Sequence, residues 1–194
     1  MSFEVQPVVL EGRHVRLEPL ADAHAEGLYE IGQVEEDWAY MPRGCFASLA
    51  DCRDWVAEAR GQADQQAFAI VDRASGRPAG SSRYLTIRPA HRGLEIGWTW
   101  LGRDWQRSPV NTEAKLLLLG HAFETLGAIR VEFKTDERNL RSQAALERIG
   151  AVREGVFRRH MVVQGGVLRN SVYFSVVYAD WHALREALQD KLRR

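Results

Sequence analysis

Apolar positions recur along this chain at two spacings, and the change from one to the other marks out its elements. Val15 to Leu20 alternates weakly and reads as a first strand. Asp22 to Gly32 follows with helical spacing, turning Ala25, Leu28, Tyr29 and Ile31 inward. Trp38 to Phe46 carries Pro42 and Gly44 and reads as loop. Ser48 followed by Asp51 resembles a capping box, with Asp in place of Glu, and opens a helix through Trp55, Val56 and Ala59.

The middle of the chain has the β pattern. Ala67 to Val71 is a strand, Asp72 to Gly76 a turn, Ala79 to Ile87 the returning strand and Leu94 to Leu101 the next, an antiparallel meander. Gly97, inside the third of these, predicts a bulge or a close approach of a ligand to the backbone.

Helical spacing returns from Asn111 to Leu126, where Leu116, Leu119, Phe123 and Leu126 form one stripe and Leu117, Leu118 and Ala122 its neighbour. A helix apolar around so much of its girth packs on a sheet, and Gly127 ends it. Ile129 to Thr135 alternates as a strand, and Asn139 to Ile149 is an amphipathic helix with Gly150 at its C′ position. Val156 to Val163 and Leu168 to Tyr178 flank Gly165-Gly166 as a hairpin. A last helix, capped by Asp180, aligns Trp181, Leu184, Leu188 and Leu192. One helix between Leu101 and Val131 is a crossover, so those strands are expected to run parallel. The expected fold is α+β: a mixed, mostly antiparallel sheet with one parallel step, flanked by helices. No repeat or linker divides the chain. The expectation is one domain over 1–194, with a core of about 12–180 and a terminal helix over 181–194.

With 194 residues, 45% of them hydrophobic and 27% charged, the composition excludes disordered and disulfide-scaffold classes. Twenty-six basic residues balance 26 acidic ones, which argues against a general nucleic-acid binder. Cys45 and Cys52, with no ligand-spaced His near them, read as ordinary reduced thiols. No signal-like start and no long apolar run is visible. The expectation is a cytoplasmic protein, without a membrane partner or a metal.

The informative segment is Arg103 to Lys115, between a strand and the most buried helix. A helix N-terminus there offers unpaired N–H groups to an anion, and Arg103, Arg107 and Lys115 add positive charge. The plainer reading of the same stretch is a capped helix with Asn111 or Thr112 as its N-cap. Serine-hydrolase and P-loop motifs are absent, and the six histidines include no H-x-x-x-H pair.

Glu95 to Leu101, then Gln106 to Ala114, then Arg130 to Asn139 together resemble the GNAT superfamily of acyl-CoA-dependent N-acetyltransferases. Leu140 to Ala151 and the continuation Glu154 to Arg158 resemble the branch that includes the ribosomal-protein N-terminal acetyltransferases. The resemblance covers residues 12 to 180. The chain departs from the family in its pyrophosphate loop, usually Gln/Arg-x-x-Gly-x-Gly/Ala: here Gln106, Pro109 and Asn111 stand at those places, and Pro109 has no N–H to give.

The resemblance implies acetyl-CoA as co-substrate and a splayed parallel pair ending near Leu101 and Thr135. It places the cofactor on Trp98, Trp100, Leu101, Gln106, Arg107, Val110, Asn111, Thr112, Asn139 and Ser142. An amide near Trp100 or Leu101 then polarises the thioester. Ser142 protonates the departing thiolate, or is a first-turn residue bonding to backbone; Glu95 is the candidate base. A free α-amine, with a pKa of about 8, is partly neutral near neutral pH, whereas a lysine amine, near 10.4, is almost wholly charged. One carboxylate with no histidine in the cleft therefore suits a protein amino terminus or a small-molecule amine. A non-catalytic acyl-CoA-binding module is the alternative. Six tryptophans and the apolar Val172–Tyr178 strand add the expectation of a homodimer.

Overall fold

The computed structural model describes residues 3–193. Its centre is one eight-stranded sheet in the order β1-β2-β3-β4-β5-β6-β8-β7. The strands are β1 (Leu10–Glu11), β2 (Val15–Pro19), β3 (Gln66–Asp72), β4 (Pro78–Arg88), β5 (Gly93–Leu101), β6 (Arg130–Asp136), β7 (Val152–Val163) and β8 (Val167–Val177). The helices are α1 (Ala25–Ile31), α2 (Glu35–Trp38), α3 (Leu49–Gly61), α4 (Pro109–Gly120), α5 (Leu140–Arg148) and α6 (Tyr178–Arg193).

Burial on both faces explains why β3 is apolar without alternation. Ala67, Ala69 and Val71 join a cluster with Leu28, Trp38, Phe46, Trp55 and Trp100 under α1 and α3. Phe68 and Ile70 join the opposite cluster, with Leu118, Leu119 and Phe123 of the α4 segment and Trp181, Leu184 and Leu188 of α6. α4 runs on through a π turn, His121–Thr125, and stops at Gly127, whose φ is +70°. α5 ends before Gly150, whose φ of +90° suits the C′ position.

Glu113 ties α4 to the first hairpin. Its carboxylate accepts the backbone N–H groups of Arg13, His14 and Val15 at 2.8, 2.6 and 2.7 Å. At the far edge the β7–β8 turn, Gln164–Gly166, folds toward the α2 loop, where Gln164 Nε2 donates to the Met41 carbonyl at 2.9 Å.

Several local expectations change. β1 pairs with β2 but is only two residues long, too short to show a period. Glu35–Trp38 forms a one-turn helix where loop was expected to begin, because the Trp38 indole is buried and donates to the Gly32 carbonyl at 2.9 Å. The last helix starts at Tyr178, so Asp180 lies in its first turn and is not its cap. The Val172–Tyr178 segment, expected to seek a second copy, is no open edge up to Val177, since β8 is paired to β6 on one side and β7 on the other; Tyr178, which opens α6, is exposed. Val172, Phe174 and Val176 are core, as are Trp38, Trp55, Trp100 and Trp181. Among the described residues, no helix is long and apolar enough to cross a membrane.

Candidate active site

The parallel pair β5–β6 holds register only at Gly93↔Arg130, Leu94↔Val131 and Glu95↔Glu132. Beyond Glu95 the strands part. β5 stays paired with β4, but its register slips by one residue between Gly97↔Arg83 and Trp100↔Ser81. The extra residue lies just past Gly97, and Trp98 takes the left-handed φ of +50°. Gly97 provides room instead: a β-carbon there would sit 2.7 Å from a Leu85 methyl and 2.8 Å from Glu95 Oε1. The open edge of β5 from Trp98 to Leu101 faces a cleft of about 1080 Å³. An extended chain can add to such an edge as a strand does.

The mouth of that cleft is the start of α4. Ser108, not Asn111 or Thr112, is the N-cap; its Oγ accepts from Val110 N at 3.3 Å and donates to the Trp105 carbonyl at 2.6 Å. Pro109 then occupies N1, where a missing N–H costs nothing and the fixed φ suits the helix. Arg107 just before it is exposed, with φ +57°. Asn111 and Thr112 line the cleft, as do Arg103, Arg107, Arg141 and Arg148. Cationic side chains around a helix N-terminus form a donor set that fits a pyrophosphate.

Of the residues singled out from sequence, Glu95, Trp98, Trp100, Leu101, Gln106, Arg107, Asn111, Thr112, Asn139 and Ser142 all line this one cleft. Val110 does not: its side chain is in the core and its N–H is held by Ser108. Trp100 contributes backbone to the cleft, while its indole packs against Trp38 at 4.9 Å between ring centres. Gln106 links β5 to α5, donating to the Leu101 carbonyl at 3.0 Å and accepting from Arg141 at 3.1 Å. Asn139 is the N-cap of α5; its Oδ1 accepts from Ser142 N at 3.0 Å, which leaves the Ser142 hydroxyl outside the cap.

Glu95 is 3% exposed, and its Oε2 accepts from Lys134 Nζ at 2.9 Å. It also borders a second, smaller bowl of about 500 Å³ on the same sheet face, lined by His160, Tyr173, Phe157 and Lys134. His160 bonds to Ser171 Oγ at 3.0 Å, and burial, with Lys134 and Arg169 nearby, holds its pKa below the ordinary value. His160 lines this second bowl and not the main cleft, where no histidine was expected. Three-dimensional neighbours across β7 and β8 bring His160 beside Glu95's own bowl, and nothing in linear spacing signals that.

Lys115, expected to add positive charge near the helix start, is 5% exposed and lines the cleft. Its Nζ donates to Thr99 Oγ1 at 2.6 Å, and burial pulls its pKa down to about 7. The only local sign of its place is its position nearly two turns past the helix start, on the side facing β5.

A parallel pair opened by a bulge, facing a capped helix N-terminus ringed by arginines, is an arrangement that suits an acyl-CoA-dependent acetyltransferase. The chain belongs to the GNAT acetyltransferase family; residues 14–152 match the family described as "Acetyltransferase (GNAT) domain". It is similar to the crystal structure of a GCN5-related N-acetyltransferase from Brucella melitensis, at 36% identity and TM-score 0.92, covering 96% of this chain and 86% of that one. A second relative is YdaF of Bacillus subtilis (strain 168), provisionally named a ribosomal N-acetyltransferase. It is 33% identical over 91 residues, which are 47% of this chain and 49% of that protein, so the match spans about half of the relative. Mycobacterium smegmatis RimJ in complex with CoA-disulfide shares the fold, with TM-score 0.83 at 19% identity over 96% of each chain.

Proposed function

We propose that this enzyme transfers an acetyl group from acetyl-CoA to a primary amine, of a protein or peptide N-terminus or of a small molecule, by direct attack on the thioester. The observation that carries the reading is the parting of β5 from β6 after Glu95, which leaves the Trp98–Leu101 edge free for an extended arm. The RimJ complex, as a structure of this fold holding a CoA derivative, supports the same use of the cleft.

Acetyl-CoA, when bound, supplies the activated thioester. Arg107 and the amides of Asn111 and Thr112 bind its pyrophosphate; Gln106 and Asn139 shape the walls around it. An amide near Trp100 or Leu101 polarises the carbonyl, a contribution whose loss typically costs about 10²–10³ in rate. Glu95 takes the proton from the attacking amine, directly or through water, and Lys134 orients its carboxylate. The Ser142 hydroxyl gives a proton to the leaving sulfur. The acceptor enters where the α2 loop and the β7–β8 hairpin meet, beside Tyr40, Met41 and Met161. Self-association would use the β7 edge, where Val152, Phe157 and Val162 are exposed. Light scattering at micromolar concentration checks that part.

The test is release of CoA thiol from acetyl-CoA with and without a panel of amines, alongside calorimetric titration with CoA. Amine-dependent release is expected. Tight CoA binding with no transfer to any amine would return the protein to a binding module.

A further inference from the structure

Arg169 sits on β8 opposite Met161 of β7, 5% exposed, on the wall of the main cleft. Among the described residues its Nε has no hydrogen-bond partner. Two carboxylates act on its charge, Asp136 and Glu95, and both are already engaged. Arg138 grips Asp136 with two parallel bonds, Nε to Oδ1 at 2.9 Å and a terminal nitrogen to Oδ2 at 2.7 Å. Lys134 holds Glu95. Three cations, Lys134, Arg138 and Arg169, therefore face two carboxylates, and the cation left over is the buried one. A buried charged donor without a partner is costly, and a guanidinium on the wall of a cleft matches a carboxylate in both charge and shape.

We propose that Arg169 is a specificity residue that binds an anionic group, of the carboxylate class, carried by the acceptor amine. The proposal rests on the acetyltransferase reading of the cleft and narrows its substrate class. A neutral carbonyl would satisfy the donors but leave the charge; an anion satisfies both. Lys134, close by, adds to the positive charge at this end of the cleft; burial first, and then Lys134 and Arg169, hold His160's pKa down. A purely cationic acceptor is disfavoured here by the same charge. The carboxylate could be that of a free amino acid or short peptide end, or the side chain of an acidic residue near a protein N-terminus.

The experiment compares acceptors that differ only in carboxylate against carboxamide. Glycylglycine is paired with its amide for the first source, and an Asp-containing N-terminal peptide with its Asn counterpart for the second. CoA thiol release is expected to favour the carboxylate member of at least one pair by roughly ten- to a hundredfold in kcat/KM. Arg169→Gln should erase that preference and leave the KM for acetyl-CoA unchanged, and Arg169→Lys should restore part of it. Equal efficiency for both members of both pairs in the wild type overturns the proposal while leaving the acetyltransferase reading intact. The reverse failure, no transfer to any amine, is separated by a binding measurement. Sodium propionate, against sodium chloride at equal ionic strength, should raise the melting temperature of the wild type but not of Arg169→Met. Arg169→Met alone should fold and melt no lower than the wild type. If it unfolds, or if propionate shifts both proteins alike, Arg169 is structural and the proposal is wrong.

Discussion

Lys115 Nζ, near the start of the most buried helix, donates to Thr99 Oγ1 across 2.6 Å, and Thr99 in turn shares a 2.8 Å bond with Ser82 Oγ. Thr99 belongs to the bulged stretch of β5, so the lysine fastens the opened strand to α4. Burial lowers the Lys115 pKa to about 7 from 10.5. The protein therefore carries the full cost of a buried charge below pH 7, and the unfolded chain binds more protons from pH 7 up to about 10.5. Across that window stability from this group rises with pH. Lys115→Met removes the cost. Its melting temperature should exceed that of the wild type most at pH 6 to 7, by about 2–4 kcal/mol in stability, and the gap should close toward pH 10. A pH series of thermal melts reads this directly, and a gap that widens with pH would reverse the sign.

Ser142 stands at the third position of α5 with its amide, but not its hydroxyl, committed to Asn139. Ser142→Ala should lower kcat by about 10²-fold, the low end for general acid catalysis, with little change in the acetyl-CoA KM. The CoA thiol resembles free cysteine, near pKa 8.5, and leaves tolerably without help. Wild-type turnover in a folded variant would leave Ser142 as a helix-start residue only.

Arg107 is exposed at the cleft mouth, just before the Ser108 cap. Arg107→Ala should raise the acetyl-CoA KM severalfold and leave the acceptor KM in place. The effect should shrink as salt rises from low to physiological strength, because exposed charges are screened. Steady-state kinetics at two ionic strengths checks it; equal shifts in both constants would make Arg107 structural or acceptor-facing.

Glu113 is buried and accepts three backbone N–H groups of the first hairpin. Glu113→Ala should destabilise by about 3 kcal/mol, since buried donors lose their acceptor. In a domain of this size that lowers the melting temperature by roughly 6–12 °C. Calorimetry of the folded variant measures it, and a loss below about 1 kcal/mol would show that the hairpin amides find other partners.

Local pattern determined most of the elements. A short apolar run bounded by turn residues marked β3, alternation marked β6, a cap marked α3, and three-to-four spacing marked the α4 segment and α5, because burying one face of a helix or strand imposes those periods on sequence. The resemblance in Gln106 to Ala114 and in Asn139 with Ser142 located the cleft, since helix starts are written locally in cap and first-turn residues. What the sequence left open depends on partners distant along the chain. The slip of β5 at Trp98 is set by its register against β4, and Gly97, the residue that drew attention, is there to make space. Glu95 meets Lys134 because β5 and β6 run parallel up to that point. Lys115 is neutralised near pH 7 only because α4 packs over Thr99 and Phe133. Arg169 Nε is left without a partner while Arg138 holds Asp136. Register and burial are properties of the packed chain: a single residue's charge is legible in sequence, but its solvation and its counter-ion exist only once the sheet has closed around it.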